Sequence, residues 1–297
     1  MRRLPPTPYD GTSTPFAIGI RPLDPADWID ADDRLADHLA GKEALIAADR
    51  DAVFMAEPET EGAQAELLAL LAGHLCARHP HTHRRAAGGV EIVPAGRTVR
   101  LDTGPPLLSA SRLVQEDLVL MRRGDAGWRL AAASLCFPSS WSLAEKFGRP
   151  LDEIHRPVPG FGAGTRPAAL IARMFDALRP EAPVWRANWS LQADDRLPKP
   201  LDEGGRTRRA AAPARRFPDD GPVFVRVERQ TLTKLPASGD IVFTIRIHVD
   251  PLAALDAHPE REVIRASFAR QLDALAADQL AYKGLAADRD GLAARLG

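Results

Sequence analysis

A chain of 297 residues, 45% of them hydrophobic, is long enough for one large domain or two ordinary ones and can bury a core. A formal net charge of -1 and a pI near 6.7 remove the electrostatic footprint of non-specific nucleic-acid binding. The two cysteines, Cys76 and Cys136, stand far apart in no C-x-x-C arrangement, which excludes a disulfide framework and a cysteine-ligated cluster; each reads as a small buried hydrophobe.

Along the chain, residues 1 to about 28 carry Pro5, Pro6, Pro8 and Pro15 and no periodicity, which predicts an extended arm wrapped over the domain. Neither an apolar signal region nor a run near the roughly 18 apolar residues of a membrane span follows Met1-Arg2-Arg3, so the expected residence is cytoplasmic. Asp33 to Ala48, with Leu35, Leu39 and Leu45, and Glu61 to Leu75, with Leu67, Leu68, Leu70 and Leu71, predict two helices packed outside a sheet. From about residue 89 the period shortens: Val90 to Val93 and Thr98 to Leu101 read as short strands. Leu118 to Met121 and Trp128 to Leu130 flank Arg123-Gly124-Asp125-Ala126-Gly127, a hairpin whose glycines supply the reversal.

Thr165 to Leu178 is a further helix, with Leu170, Ile171, Met174 and Phe175 on one stripe, and Val184 to Leu191 returns to strand. The clearest hairpin is Val223 to Val249, broken by Leu235-Pro236-Ala237-Ser238-Gly239-Asp240. After Pro259 the pattern is helical to the end, interrupted near Tyr282-Lys283-Gly284. The fold class is therefore α+β, an antiparallel sheet with flanking helices, in a single domain spanning 1–297.

The stretch from Cys136 to Phe161 carries the chemistry. Ser142 and Glu145 have capping-box spacing for a short helix that Gly148 and Pro150 stop, and Pro150 can open a second turn. In that turn Leu151 and His155 are four apart on one face with Ile154 alongside, while Pro157 and Pro159 stiffen the exit. A histidine on a short, rigid, partly apolar helix suits an axial haem ligand, which must be a neutral imidazole at a fixed angle in dry surroundings. A core histidine satisfied by a backbone carbonyl has the same spacing, and periodicity does not separate the two.

Val114-Gln115-Glu116-Asp117, Leu135 to Trp141, Lys146-Phe147-Gly148, Ile154 to Pro159, Asn188-Trp189-Ser190 and Arg226 to Leu232 resemble segments of the haem-dependent oxidative N-demethylase alpha-subunit family, over roughly residues 85 to 250. The resemblance implies a PAS-like haem-binding core at about 85–250, between an N-terminal arm and helices (1–84) and C-terminal helices (251–297). It implies haem b held by His155, with Ile154, Pro157, Val158 and Trp141 around it, and dioxygen-dependent demethylation of a small secondary amine such as dimethylamine. Electrons would come from FMN and iron-sulfur on a partner reductase subunit, and the family's complex suggests a folate-binding subunit beside it, without fixing whether folate accepts the released carbon; no nucleic acid or membrane is implicated.

On the strand Arg226 to Leu232, Arg226, Glu228 and Gln230 share one face and Val227, Arg229 and Thr231 the other. Whichever face meets the haem brings an arginine to stabilise charge on bound oxygen, while Glu228 would hold an ammonium group, so Arg226, Glu228 and Arg229 are the catalytic candidates. The ordinary alternative is a cross-strand ion-pair ladder on a solvated face.

Other features read as structural. His79-Pro-His81-Thr-His83 lacks a neighbouring carboxylate or cysteine and reads as a polar connection rather than a metal site. Arg206, Arg208, Arg209, Arg215 and Arg216 lie among Gly, Ala and Pro and predict a mobile loop, with docking of an acidic reductase or approach to haem propionates as its functional alternatives. Gly160-Phe-Gly-Ala-Gly164 lacks dinucleotide spacing, and Ser139-Ser140 lacks a nucleophile elbow. The competing functions are a haem-based gas or redox sensor and a non-catalytic subunit that has lost haem.

Overall fold

The β-branched and aromatic runs become strands, and the leucine-periodic runs become helices, in a computed structural model that describes residues 6–296. The strands are β1 (Arg21–Pro22), β2 (Phe54–Ala56), β3 (His83–Ala86), β4 (Gly89–Ile92), β5 (Arg97–Arg100), β6 (Asp117–Gly124), β7 (Gly127–Ser134), β8 (Val184–Gln192), β9 (Phe224–Lys234) and β10 (Ile241–Pro251). The helices are α1 (Leu35–Ala48), α2 (Arg50–Val53), α3 (Glu61–Arg78), α4 (Pro106–Ser111), α5 (Leu143–Lys146), α6 (Leu151–His155), α7 (Arg166–Ala177), α8 (Glu203–Ala211), α9 (Arg261–Asp273), α10 (Ala277–Lys283) and α11 (Arg289–Leu296).

The main sheet is antiparallel, in the order β1-β8-β9-β10-β6-β7-β2, so the hairpin β6–β7 lies beside the hairpin β9–β10. Register decides which residues share a face: Phe243 pairs with both Leu232 and Val119, and Ile245 with Gln230, which puts all of these on one face, here called inner. The outer face carries Thr231 opposite Thr244 and Arg229 opposite Arg246. Strands β3, β4 and β5 form a separate three-stranded sheet.

A polar clamp on the outer face holds the arm. Glu116 accepts from the Asp30 amide at 2.8 Å, Gln115 from the Asp32 amide at 3.0 Å, and Arg246 donates to the Asp30 carbonyl at 3.0 Å and pairs with Asp32 at 2.7 Å. The arm is thus more than a wrap: β1 adds an edge strand on β8, and Leu23, Trp28 and Ile29 enter the core. The C-terminal helices bury their own cluster, including Phe268, Leu272 and Leu292, against Trp189, Val225 and Val227.

The arginine-rich stretch departs from the loop expected of it. Asp202 accepts from the Gly205 amide at 2.6 Å and caps α8, and Arg206 ion-pairs with Glu145 while donating to the Ser140 and Leu201 carbonyls at 2.8 Å. A polar composition folds here because tertiary charge pairing holds it. Half of the expected capping box is missing: Ser142 makes no side-chain cap bond to α5.

Candidate functional site

His155 is positioned from both ends of its segment. The buried Asp117 carboxylate accepts from the Cys136 and Phe137 amides, each at 2.8 Å, and Arg226 donates to the Phe137 carbonyl at 2.6 Å, fixing where the chain leaves β7. Gly148, at φ 74°, ends α5 and donates to the Leu130 carbonyl at 2.8 Å, which ties the next turn back to the sheet. Pro150 then starts α6, and the His155 Nδ1–H donates to the Leu151 carbonyl at 2.8 Å. Nε2 is left with no hydrogen-bond partner among the described residues. Burial pushes the imidazole down to about 4, and the charges of Lys146 and Arg186 act the same way, so the ring is neutral at physiological pH.

His155 lines a cavity of about 520 Å³ between the inner sheet face and the α6–α7 region. Beside the histidine the wall is apolar: Val119, Met121, Leu130, Phe243 and Ile245 from the sheet, and Ile154, Val158, Phe161, Ile171 and Met174 opposite. The other part of the wall is polar and comes from distant pieces of chain: Lys146, Arg186, Glu228, Gln230, Tyr282 and Lys283. Arm residues 13–20 complete the enclosure. The two non-glycine residues at positive φ among the described residues, Phe16 (58°) and Ser140 (64°), both line it, so local backbone strain concentrates at this cavity.

Glu228 is the one carboxylate on the described wall. Its oxygens accept from Arg226 Nε at 3.3 Å and Gln230 Nε2 at 3.4 Å, leaving lone pairs for a ligand. Arg186 pairs across the strands with Gln230; its Nε is buried without a partner, and burial lowers its affinity for a proton. Lys283 donates to the Trp189 carbonyl and lies 4.6 Å from the Trp189 ring; burial pushes it down to about 8. Lys146, likewise pushed to about 8 by burial, stands 4.3 Å from the Trp141 ring. Burial, reinforced by Glu228, raises the Tyr282 phenol to about 12.

Of the residues singled out by sequence, His155, Ile154, Val158, Trp141 and Glu228 line the cavity together, and Pro157 does not reach it. Arg226 is on the inner face but fully buried behind the wall, its guanidinium bound to the Phe137 and Leu197 carbonyls and to Glu228. Arg229 points to the opposite face, donating to the Asp27 and Trp28 carbonyls and covering the Trp185 ring at 5.7 Å. The pairing of β9 with β10 puts the odd-numbered residues outside, so this arginine holds the arm and does not meet the cavity. Sequence reasoning missed Arg186, Lys146, Tyr282 and Lys283. The first sits in the run Val184 to Leu191, which reads only as strand, and the last two read only as a break between helices. His79, His81 and His83 lie apart from the cavity, and no cluster able to hold a metal ion occurs among the described residues.

An α+β protein with a sheet-floored cavity, a neutral imidazole presenting a free Nε2 and a guanidinium whose buried Nε has no partner is suited to a sizeable, partly anionic ligand coordinated through one nitrogen. The family model described as haem-dependent oxidative N-demethylase, alpha subunit-like, matches residues 19–293, and the chain belongs to that family. The match reaches beyond the quoted segments to the arm and to the C-terminal helices that bring Tyr282 and Lys283 to the wall.

Proposed function

We propose that this chain is the haem-binding subunit of an oxidative N-demethylase, with His155 Nε2 as the axial ligand. One observation carries the reading: a neutral histidine, its Nδ1–H fixed on Leu151, leaves Nε2 unpartnered on the wall of a cavity large enough for a cofactor. We read the chain as a single domain, with the five strands β8-β9-β10-β6-β7 and the helices over their inner face as a PAS-like core spanning about residues 85–250. Haem b would lie between α6 and the sheet, against Ile154, Val158 and Trp141, with Arg186 and Lys146 facing its propionates.

The haem supplies dioxygen activation, which the side chains cannot. The overall reaction is R–NH–CH3 + O2 + 2 electrons + 2 protons, giving R–NH2, formaldehyde and water. The protein's part is to hold and desolvate the amine. Glu228 offers its open lone pairs to the amine N–H, and Gln230 and Arg226 fix the carboxylate orientation. Tyr282 and Lys283 line the same cavity as Glu228, and burial raises the phenol and lowers the ammonium, which suits Lys283 to proton transfer near neutral pH. The electrons come from a partner reductase subunit carrying FMN and iron-sulfur, with a folate-binding subunit as acceptor of the one-carbon unit, in the cytoplasm. No helix among the described residues is long and apolar enough to cross a membrane.

The test is turnover: haem-reconstituted protein with a chemical electron donor, oxygen and a panel of N-methylamines should release formaldehyde and demethylated amine in equal amounts. A spectroscopically intact haem protein that releases none from any of them contradicts the proposal.

A further inference from the structure

The charge on the cavity wall says more about the amine. Lys146, Arg186, Arg209, Arg216 and Lys283 all line the cavity, and none has a carboxylate within ion-pair distance among the described residues. Glu228, the single carboxylate on the described wall, is already paired with Arg226 at 3.3 Å. Desolvated cations without counter-ions are costly, and two haem propionates would neutralise only part of this set. A simple dialkylammonium ion would add to the excess.

The surplus is concentrated at one place. Arg209 donates to the Tyr282 carbonyl at 2.7 Å and approaches Ser140 Oγ at 3.4 Å, and its buried Nε has no partner. Arg216 donates to the Gly284 carbonyl at 3.3 Å. The two side chains meet over Gly284, where a Cβ would stand 2.8 Å from Arg216 Nη1 and 3.1 Å from Arg209 Nε. Gly284, at φ 68°, therefore both ends α10 and leaves room for two like charges side by side. Two guanidinium forks converging on a cavity wall form a carboxylate-binding arrangement. Arg209 and Arg216 hold the Tyr282 and Gly284 carbonyls, and Lys283 between them donates to the Trp189 carbonyl on β8, next to Asn188, the cross-strand partner of Glu228; the pair and the amine-binding carboxylate are thus joined through one short stretch of the cavity wall.

Resting on the haem reading above, we propose that the substrate is an N-methyl amino acid, its amine on Glu228 and its carboxylate on Arg209 and Arg216. Dimethylamine, which lacks the anionic group, is then a weak ligand.

The experiment titrates haem-reconstituted protein with dimethylamine, N-methylglycine and 4-(methylamino)butyrate, by Soret difference spectra and by calorimetry. At least one of the two amino acids should bind about tenfold or more tighter than dimethylamine. Arg209→Gln should abolish that preference while leaving the Soret band and hemin affinity unchanged; Arg216→Gln gives the same readout if the first variant folds poorly. Dimethylamine binding as tightly as both amino acids overturns the proposal. So does an Arg209→Gln protein that loses hemin affinity but keeps its amine preference, because the guanidinium then serves a propionate. A wild-type protein with no His155-dependent Soret band overturns the haem reading instead, and calorimetry on that same protein still decides for or against the carboxylate subsite.

Discussion

The Leu151 carbonyl takes the Nδ1–H of His155, so the lone pair available to iron is on Nε2, and that hydrogen bond sets both ring angle and tautomer. Burial depresses the ring to about 4, and the consequence is measurable. An imidazole at its ordinary value near 6.5 loses its lone pair progressively below that pH. His155 keeps it, so hemin affinity of the apo-protein should stay level from pH 7.5 to about 5.5 and weaken only towards pH 4. An affinity loss centred near 6.5 in a hemin titration would show the ring to be solvated. The prolines and the i to i+4 spacing made the turn that presents His155 legible, since they act within one turn, whereas its candidacy as a ligand came from the family resemblance. Arg186 was not legible, because an arginine in a strand looks the same whether the face it shares with Gln230 meets water or a cavity, and only the pairing with β9 decides.

At the scale of elements, the site is a suspended segment. The chain from Cys136 to Phe161 hangs from Asp117 at its start and from the β7 carbonyl of Leu130 at Gly148. Asp117 is wholly buried, and Lys42 lies 3.9 Å from it while donating to the Glu116 carbonyl. Asp117→Ala strands two amides and a buried ammonium at once, so it should destabilise the fold by about 3–5 kcal/mol in urea unfolding. A loss under about 1 kcal/mol would mean that water replaces the carboxylate. The Gln115-Glu116-Asp117 triplet and Arg229 were visible as part of a resemblance, but not as a clamp for residues 27–32 and 136–137. Their partners are far away in sequence, and no local period encodes such contacts. Helix α8 was misread for a related reason, since its stabilising partner, Glu145, lies in another helix.

The whole molecule holds several neutral imidazoles wholly or partly out of water: burial pushes His38 down to about 3 and His74 and His155 to about 4, and lowers His79 and His83. The unfolded chain takes up those protons first. Their stabilising contribution is complete above about pH 6.5 and is lost as pH falls from there towards 4. Asp117, raised by burial, opposes the trend with a single group, and Asp30, lowered through His248 and Arg246, keeps its contribution throughout that window. Unfolding free energy should therefore drop by at least about 1 kcal/mol per pH unit between 6.5 and 4.5; a flat profile would place these rings in contact with water. The α+β class and the order of most elements followed from periodicity, whereas the cavity did not, because its wall gathers the arm, the sheet, α6, α7, α8 and α10 into one place. The most direct test of the whole account is the absorption spectrum of hemin-reconstituted protein beside that of His155→Ala. The wild type should show an intense Soret band that the variant loses or shifts strongly with an unchanged far-UV circular dichroism spectrum; an identical Soret band in the variant would remove His155 from the iron and contradict the account.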